Sequence, residues 1–204
     1  MCLYKRKKCR DASHASPEFR YIINMEDKFQ KKYNISSPRL PGWDYGSHGL
    51  YFVTICTKDR IPYFGEIIQN DISKTALLRR TEIAEIASDN WLKIGEFHPY
   101  VIPEDFVVMP DHLHGILFFN KPDKTTWEAN KFGGQRNNLA SVLRGYKGSV
   151  KQYADKNNIE FTWQPRYYDR VIRDKKEHGN IREYIYDNPG NWLLNKHGFE
   201  NLYL

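Results

Sequence analysis

Hydrophobic side chains recur along this chain with two periods, and the switching between them predicts an α+β fold. Leu50-Tyr51-Phe52-Val53-Thr54-Ile55-Cys56-Thr57 is β-branched and aromatic and follows the turn-rich stretch 38–49, so it predicts a strand. Glu66-Ile67-Ile68 and Ala76-Leu77-Leu78 predict a small hairpin across Gln69-Asn70-Asp71. Ile83, Ala84, Ala87, Trp91 and Ile94 fall on one helical stripe, with Thr81 as N-cap and Gly95 as stop. Val101-Ile102 with Phe106 to Met109 predicts a second strand, broken at Pro110-Asp111, and 112–119 a third, antiparallel to it because the connection is short. Leu139, Val142, Leu143, Tyr146 and Val150 mark a second amphipathic helix. Phe161-Thr162-Trp163 and Tyr168 to Ile172 read as extended, and a last helix from Asp174 or Lys175 is expected to end by Asn188, before Pro189. The order β-α-β-β-α-β plus a further helix predicts a ferredoxin-like antiparallel sheet with two packing helices and a C-terminal helix.

Composition narrows the partner. The 204 residues carry a net charge of +6, with 14 Tyr, 11 Phe and 5 Trp. Excess cations beside many aromatic rings favour a polyanion with bases free to stack, although a solvated basic surface has the same composition. Cys2, Cys9 and Cys56 make neither a disulfide framework nor a Cys-x-x-Cys zinc site. No apolar run reaches the ~18 residues of a membrane span, and the expected setting is cytoplasmic, on DNA. Residues 1–37, with Lys5, Arg6, Lys7, Lys8 and Arg10 close together, are expected to form a basic mobile arm, with Met25 as an alternative start. Residues 38–194 form the predicted catalytic domain, and 195–204 a tail. The polar stretch 120–137 is expected to be a surface loop.

Two histidines decide where chemistry is sought. His112 and His114 sit two apart in an otherwise apolar strand, so both imidazoles face one side. They could be hydrogen-bonded core histidines, but a metal ion is the simplest reason to pair them. In the final helix Tyr184 and Asn188 are four apart and share a face with Ile181 and Ile185. If that face packs over the histidines, three metal ligands and a phenol converge, a set suited to Mg²⁺ or Mn²⁺ with positions left for phosphate oxygens. Among so many tyrosines Tyr184 could also be a packing residue. Tyr186 is the neighbouring alternative but points away from that face.

The stretches Gly49–Thr57, Phe106 to Gly115, Trp163 to Asp169 and Arg173 to Pro189 together resemble the single-tyrosine transposases of the His-hydrophobe-His superfamily, and within it the REP-associated tyrosine transposases. The resemblance implies that His112, His114 and Asn188 bind a divalent metal, that Tyr184 is the nucleophile, and that the substrate is single-stranded, hairpin-forming DNA. It also implies cleavage by transesterification through a 5′-phosphotyrosine that frees a 3′-hydroxyl. Asp111 departs from the Asn often found before the first histidine, and a carboxylate there could tighten metal binding or repel phosphate. Arg144, Lys147, Arg166 and Arg173 are the candidate phosphate contacts, with Trp163 and Tyr167 for stacking. Some members act as monomers and others as homodimers that exchange the tyrosine helix, and the segment 155–175 is the joint that would decide. Two rivals are a replication-initiator-type nicking enzyme and a non-catalytic nucleic-acid-binding sheet. Tyr184 after His114, followed by Asn188, argues against the first. The second gives no reason for Tyr184 and Asn188 to share a face.

Overall fold

The structure is a computed structural model that describes residues 39–70, 75–129 and 134–194. The expected basic arm 1–37, the alternative start Met25 and the tail 195–204 lie outside the described residues. The strands are β1 (Gly49–Cys56), β2 (Gly65–Gln69), β3 (Ala76–Arg80), β4 (Val101–Met109), β5 (His112–Phe119) and β6 (Tyr168–Ile172). The helices are α1 (Glu82–Leu92), a short α2 (Ile94–Phe97), α3 (Leu139–Lys156) and α4 (Lys175–Leu194).

The main sheet has the order β4-β5-β1-β6 and is antiparallel throughout, the ferredoxin-like arrangement expected from the element order. β2 and β3 pair separately as the expected hairpin. β1 and β5 are central and buried on both sides, which explains why their sequences read as apolar runs rather than alternations.

Alternate residues separate two cores. Tyr51, Val53 and Ile55 of β1, Leu113 and Leu117 of β5, and Val171 of β6 face α1 and α3. There they meet the predicted helix stripes: Ile83, Ala84, Ala87 and Trp91, then Leu139, Val142, Leu143, Tyr146 and Val150, all buried. Tyr146 Oη donates to Ala87 O at 3.0 Å and ties the two helices together. Asn138 closes the start of α3 through a capping box with Ser141. Gly115 is the close-approach point of this layer, since a Cβ there would lie 2.4 Å from Cζ2 of the fully buried Trp91.

On the opposite sheet face Phe52, Ile116 and Ile172 pack with Ile181 and Ile185 of α4. At the edge strand β4 a register shift between Pro103 and Phe106 interrupts the ladder. Beside it, Glu104 meets His178 Nε2 at 2.8 Å, and Asp105 meets Arg182 Nε at 2.6 Å. α4 is thus fastened to the sheet by a small apolar patch and by charged pairs around it.

Two predicted boundaries are corrected. Gly95 is not the stop: α1 ends at Leu92, and Gly95 lies inside the short turn of α2. Nor does α4 end at Asn188, because it continues through Pro189 to Leu194. A proline's fixed φ is itself helical, so an interior proline removes one backbone hydrogen bond without forbidding the helix. Beyond it, Trp192 gains a ring contact with His112, at a centroid distance of 5.9 Å. Among the described residues no helix is long and apolar enough to cross a membrane.

Candidate active site beneath the C-terminal helix

β5 places His112 and His114 on the face covered by α4, where they are 2% and 0% exposed. Their Nε2 atoms stand 2.9 Å apart. Each Nδ1 is turned away to a protein partner: His112 to Asp111 Oδ1 at 2.6 Å, and His114 to Thr54 Oγ1 at 2.8 Å. Phe52 stacks on the His114 ring at 5.5 Å. Burial lowers both imidazole pKa values below the ordinary histidine range. For His114, driven well below it, the neighbouring His112 and the Arg60 charge add to that effect. The neutral imidazole is the metal-ligating form.

Proton placement tests whether these residues suit a cation. With Nδ1–H of His112 donated to a carboxylate, its Nε2 carries a lone pair. The tautomer in which His114 donates Nδ1–H to Thr54 Oγ1 sets a second lone pair beside the first. Two facing lone pairs at 2.9 Å repel unless a proton or a cation lies between them. Among the described residues no group of three His, Cys, Asp or Glu could hold a metal ion, so a third protein ligand would have to be of another type. The carboxamide of Asn188 meets that requirement, and the donor set fits a divalent ion.

α4 supplies the remainder. Tyr184 Oη lies 3.1 Å from His114 Nε2, with its ring edge-on to those of His114 and Phe52. Burial raises its phenol pKa, while a hydrogen bond with Asn188 and the Arg60 charge pull it back down. Asn188, 7% exposed, follows one turn later, and Trp192 one turn after that. Ile181 and Ile185 hold this face against the sheet, whereas Tyr186 is 85% exposed and points away. His114 and Tyr184 therefore meet within one chain.

Beyond the sequence reading, the structure adds Thr54, Trp192 and Arg60. Thr54 alternates with Phe52 on the α4-facing side of β1, and Trp192 is four residues past Asn188, so periodicity could have found both. Arg60 has no such signal. Asp111, unsettled from sequence, turns its carboxylate behind His112, with Arg60 Nε 2.9 Å from its other oxygen.

The six predicted DNA contacts differ in exposure and in partners. Arg166, Arg144 and Arg173 are exposed; Arg144 Nη2 donates to Gln135 O, and the Arg173 backbone N–H donates to Glu177 Oε2. Lys147 is half-buried and donates to Gln164 O, near enough to Cys56 to act on its thiol. Tyr167 lies under the Arg39 guanidinium, which also donates to its hydroxyl. Trp163 offers no face for stacking. It is 7% exposed, packs against Phe161 and Phe64, and donates Nε1–H to Lys147 O, because the bridge Thr57–Trp163 pulls it into the main core.

Comparison with known proteins agrees with this architecture. An uncharacterized Haemophilus influenzae protein is 34% identical over 165 residues, which cover 76% of this chain and 88% of that protein, so the two belong to one family. A second H. influenzae protein, provisionally named a REP-associated tyrosine transposase, is 25% identical over 161 residues, 76% of each chain. In fold, the chain is similar to a REP-associated tyrosine transposase solved bound to a REP hairpin, with a TM-score of 0.50 and 20% identity over 77% of this chain and 74% of that one. No protein-family model matches. In sequence and in fold the chain is thus similar to transposases. More narrowly, the similarity is to REP-associated tyrosine transposases.

Proposed function

We propose that this chain is a metal-dependent single-stranded DNA endonuclease and strand transferase that cuts hairpin-associated DNA through a 5′-phosphotyrosine. The observation that carries this is Tyr184 Oη at 3.1 Å from His114 Nε2, which in turn stands 2.9 Å from His112 Nε2. A phenol, two neutral imidazoles and a carboxamide on one buried patch are the parts such a reaction needs. His112, His114 and Asn188 would hold Mg²⁺ or Mn²⁺, which supplies Lewis-acid polarisation of the scissile phosphate.

Tyr184 attacks phosphorus as its phenolic proton leaves. The new Tyr184 O–P bond replaces the P–O3′ bond, and the released 3′-oxygen takes up a proton to become a hydroxyl. That hydroxyl can later reverse the exchange on the same or another strand, with no external energy source, because a phosphodiester is conserved at each step. Ile181 and Ile185 fix the helix, while Asn188 and His114 aim the phenol. The net charge of +6 and the REP hairpin bound by the structurally similar transposase support hairpin-forming DNA as the partner.

The test is incubation with hairpin-ended single-stranded DNA and Mn²⁺ or Mg²⁺, followed by denaturing electrophoresis. Wild type is expected to yield a covalent protein–DNA adduct, and Tyr184→Phe none. Adduct that survives in Tyr184→Phe removes Tyr184 as nucleophile. A wild type that binds the hairpins without forming adduct returns the chain to the non-catalytic binding reading.

A further inference from the structure

Arg60 belongs to no sequence pattern, yet the fold holds two residues in left-handed geometry to place it. Asp59 and Arg60 have φ of 52° and 57°, in the region that favours glycine. The turn that contains them is pinned at both ends. Thr57 N–H donates to Asp111 O at 2.9 Å, Lys58 N–H to Thr162 O at 2.8 Å, and Phe64 N–H to Pro110 O at 3.0 Å. From that turn the guanidinium reaches the back of the histidine site. Nη1 donates to Cys56 Sγ at 2.8 Å, Nε stands 2.9 Å from Asp111 Oδ2, and Nη2 is 3.3 Å from His112 Nδ1. The side chains of Arg60, Asp111 and His112 are 18%, 7% and 3% exposed, so water scarcely competes.

His112 Nδ1 thus faces two opposed requests. The guanidinium at 3.3 Å would donate to it, and the carboxylate at 2.6 Å would accept from it. The shorter, charge-assisted contact prevails and puts the proton on Nδ1. Without the guanidinium, Asp111 would be a buried carboxylate facing the metal-site histidine with no cation beside it. Without the carboxylate, the guanidinium would claim the Nδ1 lone pair and force the proton to Nε2, which blocks that nitrogen as a ligand.

We propose that Arg60 and Asp111 form a charge-paired positioning unit that holds His112 as its Nδ1–H tautomer and turns a free Nε2 lone pair toward His114 and Tyr184. Its functional consequence rests on the proposed function, in which His112 is a ligand; the tautomer does not. The unit acts through the His112 ring. It accounts for an aspartate at position 111: a carboxylate can balance Arg60, whereas a carboxamide there could accept from the imidazole but leave that cation uncompensated.

The first measurement is the ¹⁵N chemical shift of the two His112 ring nitrogens in metal-free full-length protein. Wild type is expected to show a protonated Nδ1 and an unprotonated Nε2. Asp111→Ala is expected to move the proton to Nε2, whereas Arg60→Ala, which removes the competing donor and leaves the carboxylate, is expected to keep it on Nδ1. Asp111→Asn retains an acceptor and is expected to hold the wild-type tautomer. Arg60→Gln provides a second variant that keeps a polar side chain in the turn should Arg60→Ala not fold. Titration calorimetry with Mn²⁺ alone is expected to show a roughly 10–100-fold weaker Kd for Asp111→Ala, the usual range for loss of a partner behind a ligating histidine. An unchanged tautomer in Asp111→Ala overturns the proposal, as does unchanged Mn²⁺ affinity. If wild type shows the expected tautomer and binds no Mn²⁺, the metal-dependent function fails while the positioning role stands.

Discussion

Replacing Gly115 by alanine sets two physical effects against each other, and their signs differ. Glycine inside a strand is conformationally costly, so alanine should stabilise β5 by about 0.5–1 kcal/mol if nothing else changed. The structure predicts the reverse. The added methyl would lie 2.4 Å from Trp91 Cζ2 and 2.9 Å from two further ring atoms, well inside van der Waals contact. Trp91 cannot swing aside, because its ring is fully buried and held edge-on by Tyr146 at 5.3 Å. Relief requires α1 or β5 to move by about 1 Å, and overpacking of this kind costs roughly 1–3 kcal/mol. Taking about 2–3 kcal/mol for a rigid indole, the expected fall in Tm is ~4–12 °C for a chain of this size. Urea unfolding followed by tryptophan fluorescence and by circular dichroism measures both quantities. Trp91→Phe should be less destabilising in the Gly115→Ala background than in wild type, since the smaller ring makes room for the methyl. A Gly115→Ala protein as stable as wild type, or more so, would refute the packing argument. Because Gly115 directly follows His114, the same variant should also disturb the His112–His114 spacing.

Two further outcomes follow from the packing. Trp163→Ala is expected to destabilise by about 3–5 kcal/mol in urea titration, because it empties a core position. Trp127→Ala, at a site 57% exposed, should cost well under half of that. Asp169 carries a pKa raised by burial, with Tyr45 and Arg39 only partly offsetting the desolvation. A raised carboxyl pKa in the folded state means that the folded chain holds the proton more tightly than the unfolded chain, so stability falls as pH rises from the ordinary aspartate range through the raised value. Asp169→Asn should therefore gain stability relative to wild type as pH rises through that window, and thermal melts across it check the sign.

Much of the fold was legible because burial imposes a period. The stripes of α1 and α3 and the paired faces of β1 and β5 are such periods, and so is the four-residue step from Tyr184 to Asn188. The His112–Tyr184 half of the site could be read the same way, as residues sharing a face. What the sequence did not show depends on turns and on which side of a loop faces inward. Arg60 reaches His112 only because Asp59 and Arg60 adopt left-handed backbone, which neither residue type announces. Trp163 lies in a basic, aromatic stretch whose composition resembles a binding surface, yet one bridge to Thr57 turns its ring into the core. The proline rule predicts a stop at Pro189 because it concerns local cost, whereas the packing of Trp192 beyond it is a tertiary gain.

The two faces of the sheet differ greatly in how firmly they are covered. α1 and α3 are embedded in the main core, but α4 contributes only two buried aliphatic side chains, Ile181 and Ile185, to its own cluster. Two buried isoleucines are worth roughly 3–6 kcal/mol. The pairs His178–Glu104 and Arg182–Asp105 around them lie toward solvent, where dissolved ions weaken them. The two faces are therefore covered by clusters of very different size. On this packing the helix bearing Tyr184 is expected to open locally before the sheet with α1 and α3 does. Amide hydrogen exchange should sort the molecule along that boundary, with α4 exchanging first and faster as salt rises. A ligand that needs the space beneath α4 would enter by such a local opening while the rest of the protein stays folded.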